Sequence, residues 1–165
     1  MMQLWRISNY ADLRGIGGLR AHGRWHLAGQ PVVYLAEHPA LALLEVLVHL
    51  ELGSLDALPL SYQLLQIEVD DATTVAEIQP ADMPAGWAAN LVWTQAVGTE
   101  WLAGGTSALL RVPSAILPVA SNYLFNPQHP QASGLRITEV MQVAHDPRVL
   151  AMLAGHAGGG STAQG

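Results

Sequence analysis

Glu45 sits in the middle of PALALLEVLVHL, residues 39–50, a stretch that is otherwise almost wholly apolar. An ionised carboxylate in such surroundings is costly unless it is paired, protonated or turned to a cleft. Tyr34 precedes it by eleven positions, and Arg24 precedes Tyr34 by ten. An arginine fork suits phosphate or carboxylate. Brought together from successive elements, an Arg, an aromatic hydroxyl and a cleft carboxylate make a site graded in charge. One end holds phosphates, the middle stacks a flat ring, and the far end stabilises a developing cation. That grading suits a dinucleotide whose glycosidic bond is being broken. A structural alternative stands beside it with equal weight: His49 lies one helical turn beyond Glu45, so the two can form an ordinary pair on one helix face.

Other chemistries find less support. Ser114 follows Pro113 in RVPSAILP and lacks the G-x-S-x-G elbow that exposes an acyl-transfer serine. A serine there bonds local backbone at a strand end or hydrogen-bonds a ligand. His22 and His26 are four apart, but Gly23 lies between them and no H-E-x-x-H occurs, so no metal site is expected. GIGGLRAHG is not a nucleotide fingerprint, because Arg20 stands where the last Gly of G-x-G-x-x-G belongs and no G-K-[ST] follows.

The charge pattern narrows the partners. The net charge of −6 argues against direct nucleic-acid binding, which calls for a basic face. All seven basic residues are Arg, and Arg6, Arg14, Arg20 and Arg24 precede residue 25 with Asp12 as the only acid among them. Arg24, among the apolar and Gly neighbours of HGRWHLAG, is the one expected to bind an anion. The chain has 165 residues, half of them hydrophobic and none of them Cys. That suits a single core without disulfides or thiolate chemistry, as in a reducing compartment. MMQLWRISNYADLRG shows no basic-then-apolar leader, and no apolar run approaches the roughly 18 residues of a membrane span. A cytoplasmic protein without membrane contact is expected.

The elements that must position these residues can be read from pattern. Strands are expected over 4–7, over 32–35, from Ser61, from Ala108 until Pro113 bends it, in NYLFNPQHP, and from Leu135. Pro39 fits a first helical turn, and 40–50 should be helical. Asn90 should cap a helix reaching about Val97, residues 82–86 read as a turn, and 147–153 as a short helix. GIGGLRAHG reads as a loop that lets backbone approach something closely. Trp87 and Trp101 read as ordinary core. Strands with interspersed helices but no regular βαβ rhythm point to an α+β fold. Residues 1–155 form the expected single domain, and 156–165 a flexible Gly/Ser-rich tail.

In order along the chain, LWRIS, the GRW at 23–25, PVVYLAEHPALALLEVLVHL, LRVPSA and NYLFNPQHP make a set that resembles the RES-domain family. Its members are toxins of bacterial toxin–antitoxin pairs, and the resemblance runs from Leu4 to about Val143. It implies an ADP-ribosyltransferase-like α+β fold, with mixed or antiparallel sheets and flanking helices, that acts on NAD as substrate and carries no prosthetic group. On this match Arg24, Tyr34, Glu45 and Ser114 take the family's Arg, Tyr, Glu and Ser positions. Asn122 falls in the matching N-x-L-x-N-P-x-H-P stretch and is placed with the NAD-binding residues.

The implied reaction is cleavage of the nicotinamide–ribose bond through an oxocarbenium-like state. Glu45 would stabilise that state, Arg24 would anchor the pyrophosphate or orient the ribose, Tyr34 would stack on the nicotinamide, and Ser114 would hydrogen-bond in the same pocket. Water, phosphate or a protein side chain could accept the ADP-ribose. The resemblance also implies a cognate Xre-like antitoxin that covers the cleft near Arg24 and Glu45; a homo-oligomer is compatible with it. Two other classes stay open on the residues alone: a non-enzymatic nucleotide- or partner-binding module, and a metal-free serine hydrolase centred on Ser114.

Overall fold

The computed structural model describes residues 1–49 and 59–157. Among these residues one mixed sheet of seven strands runs in the order β4-β5-β6-β2-β1-β3-β7. The strands are β1 (Met2–Ile7), β2 (Val33–Ala36), β3 (Ser61–Val69), β4 (Val75–Glu77), β5 (Leu109–Pro113), β6 (Ser121–Phe125) and β7 (Leu135–Ala144). Every pairing is antiparallel except that of β4 with β5. Four helices accompany them: α1 (Ile16–Arg20), α2 (Pro39–His49), α3 (Leu91–Gly104) and α4 (Pro147–Ala157).

The alternation of the strands sorts the core. Leu4, Val33, Leu35, Leu65, Ile67, Leu109, Tyr123 and Phe125 gather in one buried cluster. The residues between them on the middle strands face the helices. There Leu110, Val112 and Leu124 pack with Trp101 and Leu102 of α3. Leu41 and Ala42 of α2 pack against Trp5, Ile7 and Ala36. Trp101 is core, as expected, and its indole N–H donates to Ser107 Oγ at 2.8 Å. Trp87, half-buried, packs against Trp25 with ring centroids 5.8 Å apart.

Several expectations need correction. GIGGLRAHG is not all loop: residues 16–20 make a short helix, entered through Gly15 at φ 70°. The close approach is real, however, since a Cβ on Gly18 would lie 2.9 Å from both Gln30 O and Val32 N. Asn90 does cap α3, accepting from Trp93 N at 3.1 Å, but the helix runs past Val97 to Gly104. It ends in a left-handed Gly105, whose N–H bonds Trp101 O. The three-residue β4 carried no readable alternation. α4 runs past the expected residue 153 to Ala157. Leu50, the last residue expected in α2, and the Gly/Ser-rich end from residue 158 lie outside the described residues.

Candidate active site

A cavity of about 420 Å³ opens where the middle strands meet α1 and α2, within the range of small-molecule sites. Its floor follows from register. Trp5 of β1 pairs with Ala36 of β2, and Ala36 pairs with Asn122 of β6. Residues directly opposite in antiparallel strands share a face. All three line the cavity, as does Tyr34, two residues before Ala36 on the same face.

α2 brings Glu45 to this floor. The ring of His38, just before the helix, accepts from Ala40 N at 3.1 Å, and Pro39 occupies the first turn. Leu41 and Ala42 are the buried residues of the helix, and Glu45 lies three and four positions further on. That spacing continues the buried face directly into the cavity. Its Oε1 accepts from Ser114 Oγ at 2.8 Å and from Asn122 Nδ2 at 2.6 Å. No described residue donates to Oε2. One carboxylate oxygen is therefore fixed by protein, and the other has no partner among the described residues. No hydrogen bond or ion pair joins Glu45 to His49; the two side chains line the same cavity instead of satisfying each other.

Arg24 is held by α3 and the turn before it. Its Nη1 donates to Ala88 O at 2.8 Å. Around it, Gln95 Nε2 donates to Gly23 O at 2.9 Å and Leu27 N donates to Thr99 Oγ1 at 2.9 Å. Gly98 lies between these two helix positions, where any Cβ would collide with the carbonyl of Trp25. The 23–27 segment is thus clamped along one helix face. Arg24 lines the cavity and forms no ion pair with a carboxylate among the described residues.

Tyr34 also borders the cavity. Its hydroxyl accepts from Trp25 N at 3.1 Å and lies 2.7 Å from His26 Nδ1. Burial pushes the phenol up, so Tyr34 stays protonated.

Of the expected site residues, Arg24, Tyr34, Glu45 and Asn122 meet at this cavity. Ser114 does not border it. Its side chain is 0% exposed, donates to Glu45, and accepts from Ile116 N at 3.1 Å and Leu117 N at 3.2 Å. The expectation of a Ser114 hydrogen bond to a ligand gives way to one that holds the carboxylate from behind. The serine-hydrolase alternative loses its footing because a nucleophile needs exposure, and Ser114 has none.

Two further residues belong to the site. Arg6 of β1 borders the cavity, donates from Nη1 to Asp12 O at 2.8 Å, and makes no ion pair among the described residues. Burial lowers its pKa, opposed by the nearby Asp12 charge. The available signal was its place in LWRIS, within the cationic N-terminal run. His26 is 2% exposed and lines the cavity beside Tyr34, their ring centroids 5.6 Å apart. Its spacing from His22 raised only the question of a metal, and its hydrogen-bond partners come from α1 and β2.

The RES domain family model matches residues 3–149. A relative named Toxin Res, from Pseudomonas putida, is 53% identical over 136 residues, covering 82% of this chain and 92% of its own. The Prs ADP-ribosylating toxin of a Sphingobium species is 39% identical over 156 residues, covering 88% and 95%. In fold, the chain is similar to a chain of the M. tuberculosis MbcT–MbcA toxin–antitoxin complex, with a TM-score of 0.70 at 20% identity over 93% of this chain and 89% of that one. Matched over nearly its whole described length, the chain belongs to the RES domain family.

Proposed function

We propose that this protein is the toxin of a toxin–antitoxin pair and that it cleaves the nicotinamide–ribose bond of NAD in the cavity described above. The observation that carries the reading is the divided Glu45 carboxylate: Oε1 is bound by Ser114 and Asn122, while Oε2 has no partner among the described residues. A carboxylate fixed in this way is preorganised for charge that appears only in the transition state.

In the proposed reaction the C–N bond breaks with its electron pair passing to the nicotinamide ring. That ring is cationic when bound, so it leaves neutral and needs no proton. The ribose becomes oxocarbenium-like, and Glu45 Oε2 accepts a hydrogen bond from a ribose hydroxyl while facing the positive ring. Arg24 and Arg6, neither neutralised by a carboxylate among the described residues, supply cationic donors for the pyrophosphate. The ring of Tyr34 stacks on the nicotinamide. Attack at the ribose carbon then completes the reaction: water gives ADP-ribose, phosphate gives its 1-phosphate, and a protein side chain gives an ADP-ribosylated target. An Xre-like antitoxin covering the mouth of the cavity would silence the enzyme.

The test is to incubate purified protein with NAD and follow nicotinamide release. Mass spectrometry of the products, with and without phosphate and cell lysate, assigns the acceptor. Binding without nicotinamide release would replace the enzyme reading by the binding-module one. In cells, growth arrest on expression should be relieved by co-expressing the antitoxin.

A further inference from the structure

The geometry points to His26 as a positioning residue for Tyr34: in its Nε2–H tautomer its Nδ1 accepts the phenol's hydrogen bond, so that Tyr34 offers the ligand its ring and not a hydroxyl donor. The inference deepens the NAD reading and rests on it.

The hydrogen-bond roles follow from what each partner can do. His26 Nε2 lies 3.2 Å from Gly18 O, a carbonyl that can only accept. Nε2 therefore carries the hydrogen, and Nδ1 presents a lone pair. Tyr34 Oη lies 2.7 Å from that Nδ1 and must donate to it. The same Oη already accepts from Trp25 N. Its single hydrogen and one lone pair are thus committed to the protein, and the phenol is tied at two points. The ring nitrogens of His26 connect α1 to β2 through one side chain.

Packing enforces the arrangement. A Cβ on Gly23 would lie 2.7 Å from His26 Nδ1 and collide with the Tyr34 hydroxyl, so the contact fills the space that a larger residue would need. Gly23 N donates to His26 O at 3.0 Å, which closes the turn carrying both Arg24 and Trp25. Burial also lowers the pKa of His26, which keeps the imidazole neutral and its Nδ1 free to accept. Stacking depends on the angle and depth of a ring, and this ring has its far end fixed by two hydrogen bonds.

Kinetics with a rescue separate positioning from a merely structural role. His26→Leu, similar in size but without an acceptor, should raise KM for NAD at least tenfold while kcat stays within about threefold, since stacking acts on bound substrate and transition state alike. His26→Asn places Oδ1 where Nδ1 was and should recover most of that loss. Tyr34→Phe should show a similar KM rise. The His26→Leu/Tyr34→Phe double variant should be no worse than about twofold beyond the poorer single one, because both remove the same contact. Nitrogen-15 spectra of the ligand-free protein should show the Nε2–H tautomer, with Nδ1 shifted in Tyr34→Phe.

An Nδ1–H tautomer, additive losses, or a His26→Leu enzyme with the parent's KM overturns the inference. A parent that binds NAD but releases no nicotinamide overturns the enzyme reading alone, and calorimetric affinities of the same variants then decide the role of His26. A parent that neither binds nor cleaves NAD overturns both.

Discussion

Replacing Glu45 by Gln isolates charge from shape. Ser114 and Asn122 both donate to Oε1, so the introduced amide can keep its oxygen on them and must then turn its NH2 to the cavity. The flipped amide would set donor against donor. The network around the side chain therefore survives, and what changes is the group facing the ligand: an anionic acceptor becomes a neutral donor. A unit charge about 4 Å from a developing cation is worth about 4 kcal/mol at an effective dielectric near 20. The departing ring keeps part of the positive charge in an oxocarbenium-like state, so about half that figure is a lower bound. Converted to rate, Glu45→Gln should slow nicotinamide release roughly 30- to 1000-fold. The assay is chromatographic quantification of nicotinamide at saturating NAD, beside thermal melting of both proteins. Melting temperatures should agree within about 2 °C, since no hydrogen bond at Oε1 is lost. A folded Glu45→Gln enzyme working within about threefold of the parent would refute the electrostatic role of Glu45.

Other consequences of the geometry are open to measurement. Ser114→Ala removes a hydrogen bond to a charged group, worth about 1.5–3 kcal/mol, and should lower kcat for nicotinamide release by roughly ten- to a hundredfold. Gly98→Ala drives a Cβ into the carbonyl of Trp25; overpacking of this kind costs about 1–3 kcal/mol, and the melting temperature should fall by about 5 °C with a raised KM for NAD. His26, facing Tyr34 and the nearby His22, has its pKa lowered by burial. Above the ordinary histidine range both folded and unfolded chains hold it neutral. As pH falls through about 6.5 the unfolded chain takes the proton first, so folding stability should decline. Urea midpoints from pH 7 to pH 5 should show that decline, and His26→Asn should lack its share of it.

Glu45 was legible because one acid in an apolar helix violates its surroundings, and α2 could be read from Pro39 and its Leu/Ala content. Arg24 stood out as a cation among apolar residues. Tyr34 followed once a strand was read at 32–35. Ser114 was found as a position but not as a contact: that its hydroxyl meets Glu45 depends on the β5–β6 connection folding back over α2, a long-range fact without local pattern. Arg6 was visible only as one charge in a run. The length of α3 was obscured by Gly98, which reads as a helix weakness and is in fact where the helix meets the Trp25 carbonyl. The helix at 16–20 was hidden by its glycines, one of which is required for the approach to Val32.

The cavity floor is a row across β1, β2 and β6, in the interior of the sheet, with β3, β5 and their neighbours on either side. Strand edges and chain ends fray at little cost, whereas interior strands open only with the whole molecule. The floor of a site laid there has no inexpensive local route to disorder, so it offers a fixed surface that an external partner can cover at the mouth. Amide exchange in the proposed antitoxin complex should accordingly change at the rim, around residues 22–24 and 115, and leave residues 33–36 as slow as in the free protein.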